Sequence, residues 1–149
     1  MDTNQLVNGY DKQKELNRIQ VKGLLSGELK EADTVLTNFF AKGLYARQLF
    51  IPKGTTITGC MHRFDGLTIM LSGDIEVYDG DKVERINTPF IKVSPPGTQR
   101  SFYALEDTVW VCIHPTNSKD VDEIKEEFIT DNVNDIVMLE EIKRLRIEL

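Results

Sequence analysis

The chain has 149 residues, with 18 Lys and Arg against 24 Asp and Glu, which gives a formal net charge of -6 with neutral His. This length suits one domain with a core of its own. A content of 40% hydrophobic and 28% charged residues argues against an intrinsically disordered chain. The acidic balance weakens the case for a general DNA- or RNA-binding protein, which needs a dense cationic face. It is compatible with a small anionic ligand held by a few arginines.

Two cysteines, Cys60 and Cys112, are too few for a disulfide framework, and the sequence contains no CxxC metal motif. The polar start of the sequence lacks the apolar segment of a signal peptide. No apolar run approaches the ~20 residues of a membrane span. These features predict a soluble, cytoplasmic protein with reduced thiols, and neither a membrane nor a nucleic-acid polymer as partner.

The first part of the chain, residues 1–32, is polar with scattered aliphatic side chains. Leu16, Ile19 and Leu24 lie near helical spacing, and Asp11 can cap a helix that contains them. We therefore predict an N-terminal helical arm.

The second part, residues 33–115, contains β-branched and aromatic residues in nine short runs separated by turn signals. The predicted strands are Val35–Phe40, Leu44–Ile51, Thr56–Gly59, Leu67–Leu71, Asp74–Tyr78, Val83–Ile86, Phe90–Val93, Arg100–Ala104 and Thr108–His114. The pair Asp79-Gly80 favours a type I′ hairpin turn, whose two central positions need positive φ. Many short strands with no helical pattern between them indicate an antiparallel sandwich or barrel.

The third part, residues 116–149, has helical patterns. Asp120 can cap a helix with Val121, Ile124 and Phe128 on its apolar side. Asp135 can cap a second helix, whose apolar stripe consists of Met138, Ile142, Leu145 and Leu149. Such a stripe packs on its own domain or on a second subunit. Since exposed sheet edges also need covering, we predict a homodimer or a larger assembly.

Two segments resemble the motifs of the cupin superfamily. The stretch from Gly59 through His62 to Gly73 is similar to the first cupin motif, which contains a His-x-His pair, an acidic residue and a final Gly. The stretch from Ser94 to Arg100, Ser-Pro-Pro-Gly-Thr-Gln-Arg, is similar to the second, whose core is Pro-x-Gly-x-x-His. The resemblance covers about residues 44–114. It implies an all-β core folded as a cupin double-stranded β-helix, a jelly-roll barrel, between the helical arm and the C-terminal helices.

A closer likeness, over residues 33–130, is to the short cupin-like proteins encoded by tailed bacteriophages. It is carried by the phrases Gly-Leu-Tyr-Ala-Arg at 43–47, Val-Ser-Pro-Pro-Gly-Thr at 93–98 and Ala-Leu-Glu-Asp-Thr-Val-Trp at 104–110. This likeness implies a phage-encoded protein that acts in the host cytoplasm.

Metal-binding cupins hold their ion with three His and one Glu. The resemblance places these four positions at Cys60, His62, Gly66 and Arg100, so that His62 is the one usual ligand that remains. Arg is permanently charged and has no free lone pair, so it opposes a bound cation. The resemblance therefore implies that the metal-ligand set is largely lost, with no cofactor. A divalent metal on Cys60 and His62, with Asp65 or His114 as third ligand, is the alternative.

The same changes favour an anionic ligand. The resemblance places His62 and Arg100 in the barrel mouth, where a guanidinium suits phosphate or carboxylate. Phe64 is expected to share a strand face with His62, and Phe102 with Arg100, because alternate strand residues point the same way. An aromatic wall with one or two Arg and a His suits a nucleotide-like or sugar-phosphate ligand.

Tyr45 and Arg47 form a similar pair on an earlier strand and complete the predicted ligand-binding set. Each of these residues has an alternative role. Phe64, Phe102 and Tyr45 can pack in the core. Arg47 can face solvent, and Arg100 can pair with Glu106. His114, at a strand end before Pro115, is interpreted as a capped or surface histidine.

The sequence has neither a Gly-x-Ser-x-Gly elbow nor a phosphate loop, so nucleophilic catalysis has little support. The function that we favour is non-catalytic binding of a small anionic, nucleotide-derived ligand. With the phage likeness, this becomes a counter-defence protein that sequesters a host immune signal. The alternatives are a metal-dependent cupin enzyme, an oxygenase or isomerase, and a phage structural or assembly component.

Overall fold

A computed structural model describes residues 33–78 and 82–130. These residues form eleven strands and one helix. The strands are β1 (Val35–Ala41), β2 (Leu44–Ile51), β3 (Thr56–Thr58), β4 (Met61–His62), β5 (Gly66–Ser72), β6 (Asp74–Tyr78), β7 (Val83–Asn87), β8 (Phe90–Ser94), β9 (Ser101–Ala104), β10 (Thr108–Pro115) and β11 (Ile129–Thr130). The helix α1 (Val121–Phe128) lies between β10 and β11. None of the helices among these residues is long and apolar enough to cross a membrane.

The strands form two larger antiparallel sheets and one short pair. The first sheet has the order β1-β2-β10-β5-β8, and the second has the order β3-β9-β6-β7. The third pairs β11 with β4. Strands that are distant in sequence are neighbours in each large sheet, which is the arrangement of a jelly-roll barrel. The predicted all-β barrel is therefore confirmed.

The apolar core occupies one half of the barrel interior. Leu49, Trp110, Met70 and Phe90 stand side by side across four strands of the first sheet. Phe102, from the second sheet, meets this row, with its ring centroid 5.0 Å from that of Trp110. Because alternate residues of a strand face the same side, this row fixes which residues of the first sheet point inward.

All nine predicted strands are confirmed, with ends that differ by at most one residue. The helix predicted after Asp120 is also present, and the Asp120 side chain accepts hydrogen bonds from the backbone N–H groups of Asp122 and Glu123. Its apolar residues Ile124 and Phe128 are buried. The sequence analysis did not predict β4 and β11, which have two residues each.

Three predictions fall outside the described residues. These are the helical arm within residues 1–32 with its cap at Asp11, the turn at Asp79-Gly80 and the second C-terminal helix after Asp135. The strands that flank the turn, β6 and β7, do pair as an antiparallel hairpin.

Two glycines lie where a Cβ would make a close contact. Gly73 has φ of +116°, and a Cβ there would lie 2.6 Å from the Cα of Thr108. Gly66 lies beside His114, whose Nδ1 would be 3.2 Å from a Cβ at that position. A side chain at Gly66 would therefore push against the His114 ring, and one at Gly73 would also strain the backbone.

Candidate functional site

The candidate site is the polar half of the barrel interior, directly next to the apolar row. On the inward face of the first sheet, Arg47, Cys112 and Thr68 are cross-strand neighbours one step along from Leu49, Trp110 and Met70. One step further, Tyr45 lies opposite His114. The strand alternation of the sequence thus places two consecutive rows of polar side chains inside the barrel.

Arg100 reaches this site from the segment before β9. Its guanidinium donates a hydrogen bond to Ser94 Oγ at 2.9 Å, and Ser94 Oγ lies 3.0 Å from the hydroxyl of Thr68. Glu106, the alternative partner considered for Arg100, forms its ion pair with Lys53 instead, at 3.1 Å. Arg100 is thereby linked through two hydroxyls to the first polar row.

His62 enters the site from β4. Its backbone is fixed by the turn at residues 95–98, since its N–H donates to Thr98 O at 3.0 Å and its C=O accepts from Gly97 N at 2.8 Å. Its ring meets that of His114 edge-on, with centroids 5.2 Å apart. The barrel thus brings the two histidines of the chain into contact.

His114 is buried, at 5% exposure. The interpretation of His114 as a capped or surface residue is wrong, because its strand β10 lies in the middle of the first sheet and its ring faces inward. Its Nδ1 is buried and has no hydrogen-bond partner among the described residues. An unpartnered buried nitrogen is uncommon, and it identifies His114 as a polar group that an interior ligand can meet.

A short segment covers this end of the barrel, and we call α1 together with β11 the strap. Phe128 of the strap packs on His114, with ring centroids 4.7 Å apart and ring planes tilted by 38°, and meets Phe64 edge-on at 5.7 Å. Ile124 and Phe128 form one buried cluster with Tyr45. The N–H of Arg63 donates to the C=O of Phe128 at 2.7 Å, and β11 pairs with β4. His62 and His114 therefore lie under the strap rather than in an open mouth.

Burial and nearby positive charge keep both imidazoles neutral. The pKa of His62 is lowered from 6.5 to about 4, chiefly by burial and then by the charges of His114, Arg47 and Arg100. The pKa of His114 is also lowered, by burial and by Arg47. At neutral pH the fixed positive charges of the site are therefore those of the two guanidinium groups.

The thiol and the phenol of the site are also held in their neutral forms. Burial raises the pKa of the Cys112 thiol, against the opposing effects of Arg47, of hydrogen bonds from Thr68 and Trp110, and of Arg100. Burial likewise raises the pKa of Tyr45, whose hydroxyl donates to the side-chain oxygen of Asn38. A protonated, buried thiol is a poor nucleophile.

The structure brings together only some of the predicted site residues. His62, Arg100 and Arg47 form the polar cluster, and Tyr45 lies in the row above it. Phe64 packs against the strap, and Phe102 lies in the apolar core against Trp110. The predicted ligand-binding set did not include four residues that lie in or against the same cluster, namely Thr68, Ser94, His114 and Phe128.

Cys60 and His62 do not come together with a third metal ligand. Cys60 is exposed, and within residues 33–78 and 82–130 no group of three His, Cys, Asp or Glu side chains could hold a metal ion. The polar cluster supplies two imidazoles, whereas catalytic zinc sites use three protein ligands. Two neighbouring guanidinium groups also oppose a cation.

Solved structures with TM-scores above 0.5 support the barrel assignment. KdgF from Halomonas sp. aligns with a TM-score of 0.51 and 19% identity, over 61% of this chain and 87% of that chain. Ectoine synthase from P. lautus aligns with a TM-score of 0.52 and 13% identity, over 66% of this chain and 75% of that chain. A cupin domain from Bordetella pertussis aligns with a TM-score of 0.48 and 13% identity, over 59% and 98%.

No model of a protein family matches the sequence, and no curated protein is similar to it. At these low identities, the structural likeness shows the fold alone. The chain therefore has a cupin-type jelly-roll barrel, as the two sequence motifs predict.

Proposed function

We propose that this protein binds a small anion in the polar half of its barrel, and that it does so without catalysing a reaction. The observation that carries the proposal is electrostatic. The charges that act on His62 are those of His114, Arg47 and Arg100, and all of them disfavour its protonation. The half-buried interior thus holds positive charge beside neutral hydrogen-bonding groups.

An anion would complete this cluster. Keeping a guanidinium away from water without a counter-charge is costly. The guanidinium of Arg47 makes no hydrogen bond or ion pair with any described residue, so its five donors are available to a ligand. The guanidinium fork matches the oxygens of phosphate and carboxylate. The neutral imidazoles, together with the hydroxyl of Ser94, add uncharged hydrogen bonds.

The ligand that we propose is nucleotide-derived. Phe64, Tyr45 and Phe128 form an aromatic group next to the cationic cluster. A base or sugar face can pack on such rings while its phosphate meets the arginines. The sequence resemblance to phage-encoded cupin-like proteins extends this proposal to a biological role, the sequestration of a host immune nucleotide as a counter-defence. That extension rests on the resemblance.

Calorimetric titration of the full chain would test the anion site. The panel contains inorganic phosphate, pyrophosphate, cyclic nucleotides and ADP-ribose, with adenosine as the uncharged comparison. Arg47→Gln and Arg100→Gln each remove one cation. Arg85→Gln removes an exposed arginine of the second sheet, whose partner is Asp74. A charge-assisted hydrogen bond contributes about 1.5–3 kcal/mol, so we expect each site variant to bind at least about tenfold more weakly, and Arg85→Gln to bind as the wild type does.

Each outcome of this titration decides one part of the proposal. Absence of anion binding, or equal affinities for Arg47→Gln and Arg85→Gln, would overturn the anion site. Binding of phosphate with no gain from the nucleoside would overturn the nucleotide-derived ligand. Stoichiometric metal in the purified protein would instead favour the metal-dependent enzyme. Copies of the protein in purified phage particles would favour the structural role.

A further inference from the structure

The interior side of the edge strand β1 lies open beside the polar cluster. In the pairing of β1 with β2, Asn38 lies opposite Arg47 and Phe40 lies opposite Tyr45. Cross-strand partners share one face of a sheet, so Asn38 and Phe40 stand on the interior side, as Arg47 and Tyr45 do. The first sheet has five strands and the second has four. Phe40 is 39% exposed, so among the described residues β1 overhangs the second sheet.

Phe40 offers an aromatic ring that a ligand can reach. Its ring stacks on that of Tyr45, with centroids 5.3 Å apart and planes 25° from parallel. Tyr45 and Phe128, two of the rings next to the cationic cluster, are only 2% and 4% exposed. Phe40 therefore continues the buried aromatic group out to solvent.

Asn38 and Arg47 supply hydrogen-bond donors on the same side of the sheet. The Tyr45 hydroxyl donates to Oδ1 of Asn38, which fixes the orientation of the amide. The Nδ2 group of Asn38 makes no hydrogen bond with any residue of 33–78 or 82–130. The guanidinium of Arg47 is equally available within these ranges. Two neighbouring donor groups thus lie beside the ring of Phe40.

We propose that this open side of β1 is the subsite for a base, which stacks on Phe40 and accepts a hydrogen bond from Asn38 while its phosphate lies on Arg47. The inference rests on the proposed function and adds the place of the base. Arg47 is the diagonal cross-strand neighbour of Phe40, about 7–8 Å away, a separation that the ribose between a base and its phosphate can bridge.

The mixture of groups favours this occupant over simpler ones. A purely apolar molecule would leave the guanidinium of Arg47 without a counter-charge and Asn38 without an acceptor. An inorganic anion would leave the ring of Phe40 in water. A planar aromatic group joined to an anion satisfies the ring, the amide and the guanidinium together.

The orientation of the Asn38 amide also selects the kind of base. Because Oδ1 already accepts from Tyr45, Asn38 presents its Nδ2 donors to the ligand. Guanine has two neighbouring acceptors, O6 and N7, on one edge, whereas adenine has a donor at N6 beside the acceptor N7. We therefore expect a guanine nucleotide to bind more tightly than an adenine nucleotide.

Calorimetric titration of the full chain with GMP, AMP and ribose 5-phosphate would test the subsite. Phe40→Leu removes the ring and keeps an apolar side chain. Phe39→Leu makes the same change on the opposite face of β1, at a residue 53% exposed. We expect Phe40→Leu to bind GMP at least about fivefold more weakly than the wild type, which is the lower end for base stacking on an aromatic ring. It should bind ribose 5-phosphate as the wild type does, and Phe39→Leu should leave both affinities unchanged.

The three ligands separate the subsite from the anion site. Equal affinities of Phe40→Leu and Phe39→Leu for GMP would overturn the base subsite, as would a wild type that binds GMP no better than ribose 5-phosphate. In both cases the anion site would stand. If neither GMP nor ribose 5-phosphate binds the wild type, the proposed function itself fails and the subsite with it. AMP bound as tightly as GMP would overturn the role of Asn38. Circular dichroism should show both variants folded.

Discussion

Acid should destabilise this protein through His62, and replacing that residue with Gln should remove the effect. The free imidazole takes up a proton near pH 6.5, whereas the buried one does so near pH 4. Between these values the unfolded chain binds a proton that the folded chain does not. Stability is therefore complete above about pH 6.5 and falls as the pH falls toward 4.

The size of the effect follows from the shift in pKa. A change from 6.5 to about 4, at about 1.36 kcal/mol per unit, corresponds to about 3 kcal/mol of unfolding free energy. The slope reaches about 1.4 kcal/mol per pH unit within that range. His114, whose pKa is lowered in the same direction, adds to the fall. A loss of this size is a large part of the stability of a single domain, which is about 5–15 kcal/mol.

Urea denaturation from about pH 7.5 to pH 4.5, at one protein concentration, would measure this dependence. The difference between the wild type and His62→Gln at each pH removes the contribution of the carboxylates that both share. We expect this difference to change by about 2–3 kcal/mol over the range, in favour of the variant at low pH. Since the chain has two histidines, an NMR titration would assign the lower pKa directly. Parallel stability curves for the two proteins would refute the electrostatic account of the site.

Three further substitutions test the packing around the site. Gly73→Ala should leave little folded protein at 37 °C, because a Cβ at this positive φ would lie 2.6 Å from the Cα of Thr108. A thermal transition like that of the wild type would contradict this close approach of Gly73 to Thr108. Asp120→Ala should cost about 1 kcal/mol in urea denaturation and Asp120→Asn much less, because the side chain caps α1. Phe128→Ala should release the strap, seen as faster amide hydrogen exchange in α1 and a His62 pKa closer to 6.5, whereas Phe128→Leu should preserve both. A buried Phe→Ala change costs about 3–5 kcal/mol. The short pairing of β11 with β4 is not expected to offset a loss of this size.

The strands were predictable because each has a local pattern. Runs such as Leu44–Ile51 and Asp74–Tyr78 alternate, contain β-branched residues and end at Gly, Pro or Asp, and the structure has these two strands with the predicted ends. The cap at Asp120 is equally local. These features depend on residues that are neighbours in the sequence, so one sequence is enough to predict them.

The strap over the site, and its pairing with β4, could not be predicted in the same way. The strands β4 and β11 have two residues each, too few to show any period. Phe128 has the spacing of an apolar helical residue, but nothing in the neighbouring sequence indicates that its ring will contact that of His114. The burial of His114 depends on strands β2 and β5 on either side of it and on the strap above it. Such long-range contacts are set by the topology of the barrel. In the sequence, only the resemblance to cupins indicates that topology.

The same strands supply both the apolar half and the polar half of the barrel interior, so different residues of each strand carry the core packing and the proposed anion site. The row of Leu49, Trp110, Met70 and Phe90 packs the first sheet against the second. The polar side chains lie two and four residues further along the same strands. A substitution at Arg47 therefore changes the polar half without removing a side chain of that row. The side chains that face the polar half can therefore be varied while the row that joins the two sheets stays intact, so the proposed anion site and the stability of the fold can be altered separately.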